Sequence, residues 1–343
     1  MLNTILGSFS SAVAAPTVSD TLVVTSNATP WIYAYPWSNA TGFGTVYSNP
    51  ATTPTGSGYQ VAFSPNKSTV AIAHATSPYV SVYPWSAGFG SKYSDPATLP
   101  TGTGFGVTFS PSGNNIAVSH ASSPYVSVYP WSAGFGSKYA DPGTLPTGDG
   151  NGVTFSPLGD SIAVAHTTSP FISAYPFSAG FGTKYANPAT LPPATGQAVD
   201  FNTAGNALAI GCTSTSPIIA VYAWSSGFGT KYSDPATAVI GNANDIKFNN
   251  SDNVLAVAQG SSPFVHAYAW SNSTGFGSKY ANPATLPTGA GRGIAFTNDD
   301  AVIAVGHSTA PTLSVYPWSA GFGTKYSDPG TLPTTPSRKL TFN

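Results

Sequence analysis

Short runs in which large and small residues alternate make up almost the whole chain, and each run is bounded by Gly, Pro, Ser or Asn. In one run, the large Ile116 and Val118 alternate with the small Ala117 and Ser119. A period of two residues predicts β-strands, and no segment shows the 3.6-residue period of an amphipathic helix. The chain is therefore expected to be all-β.

One pattern of such runs occurs seven times along the chain. Its simplest marker is an aromatic residue followed by Ser and then by Gly-Phe-Gly, and the marker recurs every 46 to 48 residues. The marker residues are Trp37, Trp85, Trp131, Phe177, Trp224, Trp270 and Trp318. A fixed period of this length indicates a solenoid, a propeller or an array of modules. Since each unit holds four short β-segments and no helix, a propeller is favoured.

The segments of a unit show how the ring would close. In the third unit they are residues 106–110, 116–120, 125–131 and 135–139. The first unit begins at Thr21 with its second segment, and the missing first segment stands at the other end of the chain, in residues 339–343. We therefore predict a seven-bladed propeller over residues 19–343, closed by pairing of the C-terminal strand with the N-terminal blade, because closure removes exposed strand edges.

The repeat also resembles a known family. Its pattern V-x-F-S-P-x-G-x-x-I-A-V-x-H-x-x-x-P-x-V-S-V-Y is similar to the core of WD-repeat β-propellers, over roughly residues 19–343. The resemblance implies the propeller fold but not the family's polar tetrad, since Tyr83, Tyr129 and Tyr175 stand where its Trp is expected. The cassette PWSAGFG-x-KY-x-DPATLP is similar to repeats in predicted propellers of tailed phages.

Composition narrows the function classes. Only 7% of residues are charged, glutamate is absent and the net charge is −1, so nothing favours binding to nucleic acid. No apolar run is long enough to span a membrane. So low a charge is unusual for a free soluble protein and favours a chain in an assembly or outside the cell.

Two repeated residue types invite a chemical interpretation. Histidine closes the second segment in four units, and sites on different blades lie too far apart to supply the four ligands of zinc. We therefore expect no metal and no cofactor, and assign these imidazoles a structural role in bonding a neighbouring loop. These histidines are His74, His120, His166 and His307. The marker tryptophans with their Tyr partners either pack between blades or form a repeated platform for sugar stacking, and we favour packing.

Comparison of the seven copies identifies one divergent position, four residues before the Phe of each first segment. We place it in the loop that enters the innermost strand, so the seven side chains should ring the mouth of a central channel. Divergence here indicates either drift on a free surface or a binding face. The predicted mouth residues are Tyr59, Phe105, Asn151, Gln197, Asn244, Arg292 and Arg338.

Residues 1–18 lack the repeat and are predicted to be an N-terminal arm. The arm contains apolar side chains that are expected to be buried. We therefore interpret the arm as an assembly arm that is bound by another protein chain. These side chains are Leu2, Ile5, Leu6, Phe9 and Val13.

Catalytic motifs are scarce. No Gly-x-Ser-x-Gly elbow appears, and the unusual Asp200 and Lys247 in adjacent units are interpreted as a structural ion pair. The sequence thus predicts a non-catalytic structural module, a virion protein of a phage that binds other protein chains through a propeller face and the arm. The alternative is an extracellular propeller lectin that binds a host-surface glycan, and the third candidate is a lactonase-type propeller hydrolase.

Overall fold

The computed structural model describes residues 20–213 and 217–343, and within these ranges every regular element is a β-strand. In chain order the strands are β1 (Asp20–Ser26), β2 (Ile32–Ser38), β3 (Gly42–Phe43), β4 (Gly58–Phe63), β5 (Thr69–His74), β6 (Val80–Pro84), β7 (Gly104–Phe109), β8 (Asn115–His120), β9 (Val126–Pro130), β10 (Gly150–Phe155), β11 (Ser161–His166), β12 (Ile172–Pro176), β13 (Gly196–Phe201), β14 (Ala207–Cys212), β15 (Ile219–Trp224), β16 (Phe228–Lys231), β17 (Ala243–Phe248), β18 (Val254–Gln259), β19 (Val265–Ser271), β20 (Gly275–Lys279), β21 (Gly291–Phe296), β22 (Val302–His307), β23 (Leu313–Pro317) and β24 (Ser337–Phe342). The all-β prediction is confirmed. The described ranges hold no helix of the length and apolarity that a membrane crossing requires.

The strands form seven small antiparallel sheets, one for each copy of the repeat. From the inside outward, these are sheet 1 (β24-β1-β2-β3), sheet 2 (β4-β5-β6), sheet 3 (β7-β8-β9), sheet 4 (β10-β11-β12), sheet 5 (β13-β14-β15-β16), sheet 6 (β17-β18-β19-β20) and sheet 7 (β21-β22-β23). As the missing first segment predicted, β24 lies beside β1, with Leu340 opposite Val24 and Phe342 opposite Leu22.

The fourth segment of the repeat is a strand in only three sheets, and the prediction of four strands per unit is wrong for the rest. In sheets 2, 3, 4 and 7 it is reduced to one bridge, such as that between Trp131 and Phe135. The third strand of these sheets ends in a proline such as Pro130, which has no N–H to donate to a fourth strand. Sheets 5 and 6 carry Ala223 and Ala269 at this place, and there the fourth strands β16 and β20 are longest.

The core lies between neighbouring sheets. Ala71 and Ala73 of sheet 2 pack in one apolar cluster with Ile116 and Val118 of sheet 3, so the small face of one second strand meets the large face of the next. All four side chains are fully buried. The alternation of large and small residues in the sequence is thus the pattern of a sheet that is packed on both faces.

The marker aromatics fill the outer part of these interfaces. The Trp131 ring meets Phe109 and Phe135 of its own sheet and Tyr93 of the preceding sheet, each edge to face, with centroids 5.0–5.8 Å apart. Only 7% of Trp131 is exposed, and the other marker residues are buried equally well. The marker tryptophans therefore pack between sheets, and they offer no platform for sugars.

Replacing Trp131 by Ala should lower the free energy of unfolding by about 3–5 kcal/mol, because it opens a cavity between two sheets. Replacing it by Phe should cost clearly less than replacing it by Ala, since Phe177 fills the equivalent place in sheet 4 with the same edge-to-face contacts. Denaturant titration of the two variants measures the difference. Equal costs for Phe and Ala would contradict this account of the packing.

Candidate functional site

The seven predicted mouth residues share one backbone feature. Each is the second residue of the innermost strand of its sheet, where the ladder register slips by one residue. In sheet 2, Gly58 pairs with His74 and Gln60 pairs with Ala73, so Tyr59 has no partner in the ladder. A β-bulge of this kind re-aims the side chain that it carries. The same backbone device thus presents a different side chain in each sheet.

These seven side chains line one central cavity of about 180 Å³, together with Lys339. We call it the mouth pocket. All seven innermost strands contribute to it, so it lies where the sheets converge. The sequence comparison therefore identified side chains that the structure brings together, while their role in binding stays a prediction.

One part of the mouth pocket is aromatic and amide. The rings of Tyr59 and Phe105 meet edge to face, with centroids 4.9 Å apart. Asn151 donates an amide N–H to the carbonyl of Gly196 at 2.8 Å, and Asn244 makes the equivalent bond to Gly291 at 2.7 Å. These bonds fix both amides and leave their carbonyl oxygens available as acceptors.

The other part of the mouth pocket is cationic. The guanidinium of Arg338 lies 4.1 Å from the centroid of the Tyr59 ring and donates through Nε to Asn27. Burial lowers the pKa of Arg338; Tyr59 opposes this shift and the positive charge of Arg292 adds to it. Arg292 has a buried Nε without a partner, and the described residues offer its guanidinium neither a hydrogen bond nor an ion pair. Two guanidinium groups thus face the pocket without a carboxylate among its lining residues.

Lys339 links the mouth pocket to the deeper channel. Its Nζ is 2.5 Å from Asp245 and donates to the carbonyl of Asn244 at 2.7 Å, so the side chain crosses sheet 7 to reach sheet 6. The crossing requires Gly293, because a Cβ there would stand 2.3 Å from the carbonyl oxygen of Arg338 and 2.8 Å from the Cα of Lys339.

Neither Lys339 nor Asp245 was among the site residues predicted from the sequence. Both follow a mouth residue directly, at a position that holds Gly or Ala in sheets 3, 4, 5 and 7. Charge at an otherwise small position was the signal that could have identified them.

Further into the channel, the predicted ion pair between Asp200 and Lys247 is confirmed, with Nζ and Oδ1 2.5 Å apart. Asp200 is buried and also accepts a hydrogen bond from the backbone N–H of Phe248 at 2.9 Å. The two residues line a second cavity of about 360 Å³ together with Asp245 and Lys339. The channel wall therefore carries alternating charges that are already paired, unlike the arginines of the mouth.

The repeated histidines are structural, as predicted. His120 contacts the carbonyl of Ser122 through Nδ1 at 2.8 Å and the hydroxyl of Ser127 through Nε2 at 3.0 Å. The ring is fully buried, and burial lowers its pKa to about 4, so it is neutral at pH 7. In the part of the chain that the structure describes, no three His, Cys, Asp or Glu side chains lie close enough to hold a metal ion.

The proposed assembly arm lies outside the described residues. Its residues 1–18 belong to the segment that precedes Asp20. The mouth pocket, by contrast, lies wholly within the described residues.

No protein-family model and no curated protein sequence matches this chain. Solved structures do match. The putative 6-phosphogluconolactonase of Bacteroides fragilis is 12% identical, the match covers 96% of this chain and 99% of that one, and the TM-score is 0.77. The periplasmic gluconolactonase PpgL of Pseudomonas aeruginosa is 16% identical, with coverages of 94% and 98% and a TM-score of 0.69.

A third similar structure is the β-propeller domain of Cps50 (Swd1) from Myceliophteria thermophila, at 12% identity, coverages of 83% and 89% and a TM-score of 0.62. At such identities the likeness shows the fold, an all-β arrangement of small propeller-like sheets. The similarity of the repeat cassette to phage propellers stays a prediction.

The lactonase neighbours contradict two predictions, the non-catalytic virion role and the absence of enzyme activity. The reason is the distribution of the pocket residues along the chain. Catalytic sequence motifs describe a nucleophile and its base, whereas the mouth pocket is built from single bulge residues that come from all seven sheets. The low charge and the repeated cassette describe the scaffold and do not describe this pocket.

Proposed function

We propose that this protein is a lactonase-type hydrolase whose active site is the mouth pocket of a closed seven-bladed propeller. The observation that carries the proposal is Arg292, a partly buried guanidinium that the described residues leave without a partner. A polar group in this state requires a ligand, an ion or water. The lactonase structures with the same fold supply the reaction type.

Closure of the ring is supported by the contacts of the innermost strands. Each contacts its counterpart in the next sheet, and β24 contacts both β21 of sheet 7 and β4 of sheet 2. Closure matters for the site because Arg338 and Lys339 lie on β24. A ring that is open at this point would lose two of the three cations of the pocket.

The chemistry of lactone hydrolysis fits a cationic pocket. Water adds to the carbonyl carbon, negative charge develops on the carbonyl oxygen, and the ring C–O bond then breaks to leave a hydroxyl group and a carboxylate. Arg292 and Arg338 would stabilise the developing oxyanion, and preorganised donors of this kind supply the largest catalytic contribution in many enzymes. The same guanidiniums would hold the carboxylate of the product.

A base for the attacking water is the second requirement. The lining of the mouth pocket contains no carboxylate, but Lys339 connects it to Asp245 in the channel. Asp245 accepts from Lys339 and from the backbone N–H of Ile294 at 2.9 Å, and it lines the deeper cavity. We propose Asp245 as the group that accepts the proton of the water, directly or through one further water.

The test is acid release from sugar lactones such as glucono-δ-lactone, followed in a weakly buffered assay against the uncatalysed rate. Arg292→Ala should lower kcat/KM by about 10²–10³-fold, the effect of removing one oxyanion donor. Lys138→Ala is the matched control, because it removes a cation that pairs with Asp141 on the outer edge, away from the pocket. Hydrolysis no faster than in buffer, for every sugar lactone tried, would reject the proposed activity.

A further inference from the structure

A ring of large aromatic residues stands in a backbone conformation that such residues rarely adopt. All five have φ between 67° and 70°, in the left-handed region, where a bulky side chain is a genuine outlier. They are Trp31, Tyr79, Tyr125, Phe171 and Phe264, which we call the aromatic rim. Strain of this kind persists where the surrounding structure enforces it, and it clusters at ligand sites.

Two residues of the rim have their backbone against the innermost strands that carry the aromatic part of the mouth pocket. The carbonyl of Tyr79 approaches Gly104, the residue before Phe105, so closely that a Cβ on this glycine would stand 2.3 Å from the carbonyl oxygen. The carbonyl of Trp31 approaches Gly58, the residue before Tyr59, in the same way, at 2.6 Å. The carbonyls of Trp31 and Tyr79 therefore lie beside the strand positions that precede the two aromatic residues of the pocket.

The rim is uneven, and this unevenness argues against a purely structural role. Sheets 5 and 7 carry Ile218 and Thr312 at the equivalent position, so the fold does not need an aromatic residue there. Both of these side chains are buried, at 3% exposure, whereas the rim aromatics are partly exposed. The hydroxyl of Tyr79 makes no hydrogen bond to the described residues. An apolar ring face with a free polar tip is the surface that stacks on sugars.

The volume of the mouth pocket limits the size of the group that it can bind. Its volume of about 180 Å³ is below the 300–1,000 Å³ of pockets that hold drug-sized ligands. It has room for one small ring, and any further part of a ligand must lie outside it. On the aromatic side, the partly exposed residues whose carbonyls lie against the strands of Tyr59 and Phe105 are Trp31 and Tyr79.

We propose that the substrate is the lactone at the end of an oligosaccharide, and that the sugar rings next to the lactone stack on Trp31 and Tyr79. This inference rests on the proposed hydrolase function and specifies its substrate class. Bond changes are confined to the lactone: water adds to the carbonyl carbon, the ring C–O bond breaks, and the products are an aldonate, a hydroxyl group and a proton. The rim takes no part in this step and only holds the chain.

The first experiment compares kcat/KM for glucono-δ-lactone with the values for the lactones of cellobionic and maltobionic acid. One of the disaccharide lactones should be preferred by about 2- to 10-fold, a factor similar to that of one contact between aromatic rings. In Trp31→Asn and Tyr79→Asn this preference should fall toward one. Equal kcat/KM for the monosaccharide and both disaccharide lactones would overturn the proposal.

Stability separates this role from packing. Asn tolerates the left-handed region, so both variants should melt at the same temperature as the wild type or higher. A lower melting temperature with an unchanged preference would identify the rim as packing and overturn the proposal. Leu158→Asn is the control, because Leu158 is 85% exposed in the turn at the opposite end of the innermost strand of sheet 4.

A second measurement tests sugar binding at the rim if no lactone is hydrolysed and the proposed function fails. Calorimetry then compares the binding of cellobionate and maltobionate with that of gluconate. Tighter binding of a disaccharide acid, lost in Trp31→Asn and Tyr79→Asn, supports the rim as a sugar site without the enzyme activity. Equal affinities, or no binding of any of the three acids, overturn the proposal.

Discussion

Lowering the pH from 7 to 5 is expected to remove about 10 kcal/mol from the free energy of unfolding, because five histidines are buried in the neutral form. Burial lowers the pKa of each to about 4, from an ordinary value of 6.5. The residues are His74, His120, His166, His266 and His307. Unfolding by denaturant at a series of pH values measures the loss.

The sign follows from proton binding. Between pH 6.5 and 4 the unfolded chain binds protons that the folded chain excludes, so acid stabilises the unfolded state. Above pH 6.5 the buried histidines cost the folded state almost no stability. As the pH falls from 6.5 toward 4, the free energy of unfolding decreases progressively. Each histidine accounts for about 2 kcal/mol at pH 5, and five together match the whole stability of many domains.

A matched control exists within the chain. Gln259 takes the place of the repeated histidine in sheet 6 and donates to the carbonyl of Ser261 at 3.2 Å, as His120 contacts Ser122. His120→Gln should therefore fold, and it should lose about 2 kcal/mol less than the wild type between pH 7 and 5. An unchanged dependence on pH would show that these histidines are not the cause.

Replacing Phe342 by Ala is expected to lower the free energy of unfolding by about 3–5 kcal/mol, and deleting residues 338–343 should abolish cooperative folding. Phe342 is 7% exposed and meets Trp37 edge to face, with centroids 5.8 Å apart. The deletion removes this contact and leaves the inner edge of β1 without a partner, a template for aggregation. Denaturant titration and light scattering measure the two effects.

Phe342→Leu is the control for this second prediction. It keeps most of the buried volume and the whole strand, so it should cost less than about 1.5 kcal/mol. A truncated chain that unfolds at the same denaturant concentration as the full chain would contradict the role assigned to β24.

The scaffold was readable from the sequence because each of its determinants is local and repeated. The alternation around Ile116 predicted a β-strand, and the missing first segment predicted the place of β24. Pro130 lacks the N–H that a fourth strand would need, and this local signal indicates the shortened fourth segment of its sheet.

The site was only partly readable, because it depends on contacts between different copies of the repeat. Divergence among copies identified the mouth residues, since the bulge leaves their type free. The reach of Lys339 across Gly293 to Asp245 could not be predicted, because it joins three sheets in space. The left-handed backbone at Tyr79 runs against the preference of a bulky residue, so no local rule indicates it.

The bulges of the innermost strands have a consequence for how this molecule can be redesigned. Since the ladder passes over each mouth residue, its side chain contributes little to the pairing of the strands, and coupling should be confined to mouth residues in contact, such as Tyr59 with Phe105 and with Arg338. A combinatorial library at these positions would keep the scaffold constant while recoding the pocket one sheet at a time. Because the seven sheets are similar and only the mouth side chains differ, selection at these positions could change the bound ligand while the fold stays the same.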